Sequence, residues 1–166
     1  MPTVTRPRPP VPDPAPAPAT AGSTEERVIA ALRRHAPTLM RGALGLVFVW
    51  FGALKVANVT PVAQLVADTL AFVPVPASVL VPALGVFEIV AGLALVTGWW
   101  LRPVLAAMVA HLAGTFLVLV VQPQVAFQDG NPLLLTTEGE FVVKNLVLIA
   151  GALLVAANLS PRRTTG

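Results

Sequence analysis

The 166-residue sequence has no cysteine, and charged residues make up only 11% of it. Without cysteine, disulfides, thiol redox chemistry and cysteine-ligated metals are excluded within this chain. The low charge content argues against a soluble domain, in which about 25% of residues are charged and cover the surface. Instead, 55% of the residues are hydrophobic and the mean hydropathy is +0.78. We therefore expect the lipid bilayer to surround most of the chain.

The sequence also lacks the patterns of several common functional sites. A net charge of +3 and a pI near 10.6 would suit nucleic-acid binding, but the basic residues form no stripe with interleaved aromatic residues. There is no glycine-rich phosphate loop and no supported Ser/His/Asp arrangement. One glutamate and one histidine within the apolar segments are too few ligands for a metal. We expect neither a nucleic-acid partner nor a metal site.

Four long apolar segments occupy residues 39–57, 79–98, 101–121 and 141–159. Each is close to the ~20 residues that a helix needs to cross a hydrocarbon layer of ~30 Å. None shows the charged face of a helix in a soluble bundle. The sequence therefore predicts an all-α fold, in which residues 38–159 form a four-helix transmembrane bundle.

The segments outside the bundle have distinct compositions. Residues 1–22 are rich in alternating proline and alanine, which cannot build a core and predict a disordered tail. Ser23 and Glu26 fit a capping box that opens a short surface helix over residues 23–37. We expect Pro37 to end that helix on the cytoplasmic side.

The connections between the apolar segments differ in character. After the first segment, Gln64 and Asp68 stand one turn apart among apolar residues, which predicts a short helix lying in the membrane interface. Residues 122–140 form the longest loop. Residues 160–166 are predicted to form a second cytoplasmic tail.

Arginine and lysine fall mainly on one side of the predicted bundle. One side holds Arg27, Arg33, Arg34, Arg41, Arg102, Arg162 and Arg163, and the other holds Lys55 and Lys144. The positive-inside rule therefore places both termini in the cytoplasm. This topology accounts for the basic pI without any partner.

Two ionisable residues, Glu88 and His111, lie deep within the second and third segments. At 1.5 Å per residue, they lie roughly 13 Å and roughly 15 Å from the outer boundary. Small residues share their helix faces and mark the side that packs against other helices in lipid. These small residues are Gly85, Gly92, Ala107 and Gly114. We therefore expect both side chains to face the bundle interior, where a hydrogen bond between them would offset the cost of a buried charge.

Further polar residues lie nearer the outer ends of the segments. Lys55 closes the first segment, and Lys144 and Asn145 follow the start of the fourth, with Glu138 just before it. A lysine there can reach up to water or down toward Glu88. Together these residues could form a proton-relay or ligand site, for example for a quinone headgroup. The alternative is that they are inert fasteners between helices, and the residue pattern leaves both readings open.

Three stretches resemble the DoxX-like superfamily, most closely its YkgB-like branch of small four-helix membrane proteins. They are FVWFGALKV (48–56), EIVAGLALVTG (88–98) and PLLLTTEGEFVVKNLVLIAG (132–151). The resemblance covers residues 38–158 and implies a multi-pass protein of the bacterial inner membrane. Some relatives are linked to quinone-dependent oxidation or to membrane oxidoreductase assemblies that manage oxidative stress. The resemblance supplies no agreed catalytic set, although Lys55, Glu88, Glu138, Lys144 and Asn145 fall in the matching stretches.

Three functions are compatible with these features. The first is a membrane subunit or accessory of a quinone-linked redox system, with a polar pocket in the outer half of the bundle and a partner oxidoreductase. The second is a non-enzymatic scaffold that recruits a partner through the tail and the loop over residues 122–140. Small-solute transport is a weaker third, because four helices without a broken-helix repeat leave little room for alternating access.

Overall fold

The computed structural model describes residues 23–159, in which seven α-helices and one 3-10 turn occur and no β-strand. The helices are α1 (Thr24–Val56), α2 (Ala63–Thr69), α3 (Ala77–Thr97), α4 (Leu101–Thr115), α5 (Leu117–Val121), α6 (Pro123–Ala126) and α7 (Thr137–Ala157). Four spans, namely α1, α3, α4 with α5, and α7, are long and apolar enough to cross a membrane. The all-α, four-helix transmembrane prediction is confirmed. The two predicted tails, 1–22 and 160–166, lie outside the described residues.

The four spans pack in a ring in chain order. The contact between α1 and α3 is the most extensive, and contacts of α3 with α4, α4 with α7 and α7 with α1 close the ring. The largest fully buried side chains are Leu44, Leu95, Leu105 and Met108, which come from α1, α3 and α4. Since lipid is as apolar as these side chains, close packing rather than hydrophobic transfer holds the ring together.

Four glycines bring the backbones of α1 and α3 into direct contact. A Cβ atom added to Gly45 would lie 2.7 Å from the carbonyl oxygen of Gly92, and one added to Gly52 would lie 2.5 Å from that of Gly85. The reciprocal additions are equally blocked. The seven-residue spacing of these glycines is therefore the spacing of an antiparallel helix interface.

Helix α1 corrects one sequence-based prediction. The capping box is present, since Glu26 N donates to Ser23 Oγ over 3.3 Å and Ser23 N donates to Glu26 Oε2 over 2.9 Å. However, Pro37 does not end the helix, which continues without interruption to Val56. Proline removes one donor, and the carbonyl that loses it belongs to Arg33, an exposed residue that water can solvate. The 33-residue helix is ~50 Å long, longer than a ~30 Å hydrocarbon layer.

The third span is broken near one end. Helix α4 stops at Thr115 and α5 resumes at Leu117, with Phe116 between them. The hydroxyl of Thr115 donates to the carbonyl of Leu112 over 2.6 Å. Such bonding back to the preceding turn bends helices. The break lies one turn beyond His111 and so shapes the site described below.

The loop over residues 122–140 folds back against the bundle. Its helix α6 ends in Ala126, which is fully buried and whose carbonyl accepts from Thr136 N over 3.0 Å. Gly139, in the first turn of α7, lies so close to the Ala126 carbonyl that it has no room for a side chain. At this end of the bundle, Gln122 Nε2 donates to Thr69 Oγ1 over 2.6 Å and to Leu65 O over 3.1 Å. These bonds hold α2 across the ends of the spans.

Candidate functional site

A buried ion pair joins α1 to α3. Lys55 lies near the end of α1, beside Gly85 of α3, and its Nζ donates to Glu88 Oε2 over 2.7 Å and to Oε1 over 2.9 Å. Lys55 is 8% exposed and Glu88 is 5% exposed. Of the two orientations predicted for Lys55, toward water or toward Glu88, the structure shows the one toward Glu88. Within residues 23–159, the side-chain hydrogen bonds of Lys55 go to Glu88 alone and use at most two of the three N–H donors of the ammonium group.

His111 extends this pair to α4. Its Nε2 lies 2.9 Å from Glu88 Oε1, so the contact predicted between Glu88 and His111 is present. A carboxylate can only accept, so Nε2 carries the hydrogen atom and Nδ1 is left as an acceptor in the neutral ring. Phe48 and Phe87 flank the imidazole, with ring centroids 6.1 Å and 5.3 Å away. A chain of polar contacts therefore runs from Lys55 through Glu88 to His111.

Two other residues of the predicted site lie away from these polar contacts. Lys144 Nζ pairs with Glu140 Oε2 over 3.2 Å, one turn back on α7, and its side chain is 72% exposed. Glu138 is exposed in the first turn of α7. Of the two orientations open to Lys144, the structure shows the one toward the surface. The structure therefore does not bring Lys144 or Glu138 to Glu88.

Asn145 forms a second polar group with a residue that sequence analysis missed. Asn145, on α7, is 7% exposed, and its Nδ2 donates to Thr115 Oγ1 over 2.8 Å. Thr115 follows His111 by four residues on α4 and therefore shares its face. That spacing was the available signal for Thr115. By contrast, no sequence signal pairs Thr69 with Gln122, because the two lie far apart in the chain.

These polar groups line a cavity of about 280 Å³ beneath α2. Its polar wall consists of Lys55, Thr69, Glu88, His111, Thr115 and Asn145. Its apolar walls include Phe48, Phe51, Leu84, Leu117, Phe141 and Leu148. A mostly apolar cavity with a few convergent polar groups is the usual form of a small-molecule site. Within residues 23–159, no group of three or more His, Asp or Glu side chains is placed to hold a metal ion.

Comparison with known proteins places this architecture in a family. A family model described as DoxX matches residues 36–121, just over half of the chain. The chain belongs to the DoxX family. No curated protein and no solved structure gives a significant match. The matched DoxX region contains Lys55, Glu88 and His111 and ends before α7, which carries Asn145. The assignment to the YkgB-like branch stays a prediction.

Proposed function

We propose that this DoxX protein is a membrane subunit or accessory of a quinone-linked redox system in the bacterial inner membrane. The observation that carries the proposal is the mostly apolar cavity whose polar wall includes the linked side chains of Lys55, Glu88 and His111. Its volume of about 280 Å³ suits a single ring with its substituents, near the lower end of the ~300–1,000 Å³ typical of ligand pockets. An isoprenoid tail can extend from such a ring into lipid.

The polar contacts suit the chemistry of a quinone and quinol couple. Oxidation of a quinol releases two electrons and two protons. Nδ1 of His111 can accept one of these protons from a quinol hydroxyl while Nε2 passes its own to Glu88, since the second nitrogen already contacts the carboxylate. The other hydroxyl releases the second proton to water. The free N–H of Lys55 stabilises an anionic ring oxygen. The electrons pass to, or come from, a partner membrane oxidoreductase.

Direct binding measurements test this proposal. We expect the purified protein in detergent to bind short-chain ubiquinone or menaquinone analogues in equilibrium dialysis. Glu88→Gln keeps the size of the side chain but removes its charge, and His111→Leu removes both ring nitrogens. Each substitution should weaken quinone binding by about tenfold or more, the equivalent of one hydrogen bond to a charged group.

Glu140→Gln is the matched control, because Glu140 is an exposed carboxylate whose pair with Lys144 lies at the surface. It should leave quinone binding within about twofold of the wild type. Cells that carry Glu88→Gln or His111→Leu should show reduced quinone-dependent oxidation, and cells that carry Glu140→Gln should not. Unchanged quinone binding and an unchanged redox phenotype in Glu88→Gln would refute the proposal.

A further inference from the structure

We infer that Asn145 binds a second oxygen atom of the same ligand and makes the cavity selective for rings that carry two opposed oxygens. This inference rests on the proposed function of the cavity. It concerns a residue of α7, which lies outside the matched DoxX region. Three features of the structure support it: the fixed orientation of the Asn145 amide, its unused hydrogen-bonding capacity and its position relative to His111.

The orientation of the amide follows from the hydrogen bonds of Thr115. A hydroxyl has one hydrogen atom, and that of Thr115 is donated to Leu112 O over 2.6 Å. Thr115 Oγ1 can therefore only accept from Asn145, at 2.8 Å, so the atom of Asn145 that faces it must be Nδ2. The amide cannot be flipped without losing this bond.

The second N–H and the oxygen of the Asn145 amide form no hydrogen bond within the described residues. An amide has two N–H donors and an acceptor oxygen, and within residues 23–159 the contact with Thr115 is the only hydrogen bond of the Asn145 side chain. Asn145 is 7% exposed and lines the cavity. Asn145 Oδ1 is not among the fully buried side-chain atoms that lack a partner in the described residues, so it stays accessible and a ligand in the cavity can pair with it.

The position of Asn145 sets the separation of the two polar groups. Thr115 lies four residues beyond His111 on the same face of α4, a rise of about 6 Å along the axis at 1.5 Å per residue. Because the Asn145 amide bonds Thr115, the axial offset between the two α4 residues that carry the polar contacts is of the order of the distance between the two oxygens of a para-quinone. Phe51, Leu84 and Phe141 supply apolar wall for the ring between them.

A comparison of two ligands on three proteins tests this inference. The ligands are para-naphthoquinone and tetralone, a related bicyclic ketone with one ring oxygen. The wild-type protein should prefer the quinone over the ketone by about tenfold, the equivalent of one net hydrogen bond. Asn145→Leu should abolish this preference by weakening quinone binding, and should leave ketone binding within about twofold.

Asn158→Leu is the matched control, because Asn158 is an exposed asparagine at the end of the same helix and its side chain bonds only Leu154 O within the described residues. It should retain the full preference. Thr115→Val is a near-isosteric second variant that frees the Asn145 amide without removing it, and it should reduce the preference. It also serves as the test if Asn145→Leu does not fold.

The possible results separate this inference from the proposed function. If the wild type binds the quinone but Asn145→Leu and Thr115→Val keep the full preference, the role of Asn145 is wrong and the proposed function stands. If the wild type binds neither ring while it remains folded, both are wrong. If the preference falls in both variants but not in Asn158→Leu, both are supported.

Discussion

Glu88 is a carboxylate that is 5% exposed in the middle of a membrane span, and it receives three hydrogen bonds from two cationic or potentially cationic side chains. An unpaired charge at this depth costs about 3 kcal/mol or more. The ammonium group of Lys55 therefore does more than anchor the end of α1, since it neutralises a charge that the bundle would otherwise carry alone. The stability of the bundle and the polar wall of the cavity depend on the same pair.

Removal of one partner of this pair should be strongly destabilising. Lys55→Met keeps much of the side-chain volume but leaves the Glu88 carboxylate without its cation, which should lower the free energy of unfolding by about 3–5 kcal/mol. The double variant Lys55→Met/Glu88→Gln removes both charges and should recover much of that loss. Reversible unfolding in mixed micelles measures both effects.

Lys144→Met provides the comparison, because Lys144 has the same side chain but is 72% exposed in its pair with Glu140. Exposed pairs of this kind contribute about 0–1 kcal/mol, so the variant should resemble the wild type. Equal losses in Lys55→Met and Lys144→Met would show that the burial of the first pair has no energetic consequence.

For single residues, a side-chain contact can be predicted from the sequence only where helix geometry constrains the position of the side chain. The contact of Glu88 with His111 is predictable, because helical rise fixes depth and small residues mark the packing face. The choice of Lys55 rather than Lys144 as the partner of Glu88 is not, because a long flexible side chain can point either way. The pairing of Asn145 with Thr115 depends on the register between α4 and α7, which no local pattern sets.

Among the helices, the contact between α1 and α3 depends on backbone proximity. Gly52→Ala would place a Cβ atom 2.5 Å from the Gly85 carbonyl oxygen, which belongs to the backbone and cannot move aside easily. We expect this substitution to force the helices apart and lower the free energy of unfolding by about 1–3 kcal/mol. Thermal unfolding in detergent measures the loss.

Gly42→Ala is a control on the same helix, because a Cβ atom added there meets nothing within 4 Å. It should be neutral or slightly stabilising, since alanine has the higher helix propensity. The model of a close glycine interface fails if both alanine variants unfold at the wild-type temperature.

Helix α2 is short, and its position depends on side-chain bonds to Gln122. Gln122→Leu would remove the donor to Thr69 Oγ1 and one donor to Leu65 O, which still accepts from Thr69 Oγ1, so the cost should be that of a typical hydrogen bond, about 0.5–1.5 kcal/mol. We expect local opening of α2 to become about tenfold more frequent, because ~1.4 kcal/mol corresponds to that factor. Amide hydrogen exchange over residues 63–69 measures the change.

Gln128→Leu is the corresponding control. Gln128 is a glutamine of the same loop that donates to a backbone carbonyl, Leu135 O, but at an exposed position. It should leave exchange over residues 63–69 unchanged. The proposed tether is wrong if Gln122→Leu leaves exchange in α2 at the wild-type rate while the protein stays folded.

The helices also show where local sequence signals stop being sufficient. The four spans are predictable because length and hydrophobicity alone define them. The prediction that Pro37 separates a surface helix from α1 is wrong, because a proline costs one hydrogen bond and a carbonyl exposed to water tolerates that loss. Whether a proline breaks a helix therefore depends on its surroundings as well as on its own geometry.

For the whole molecule, the ring of four spans and the bridging helix α2 together line the cavity at one end, the end at which the loop over residues 122–140 folds back. The position of this end relative to the membrane decides which compartment a ligand or a released proton reaches. The distribution of arginine predicts that α2 and the loop lie on the non-cytoplasmic side. Lys55, which lies on that side, is held by Glu88 within the bundle and so adds little positive charge to the surface.

The absence of cysteine allows a direct test of this orientation, since any cysteine introduced is the only thiol in the chain. Asn131→Cys places a thiol in the exposed loop before α7, and Trp99→Cys places one in the exposed link between α3 and α4. In intact spheroplasts, a membrane-impermeant maleimide should label the first and not the second. After permeabilisation it should label both. The reverse pattern would place the cavity at the cytoplasmic surface, and protons released through His111 and Glu88 would then enter the cytoplasm.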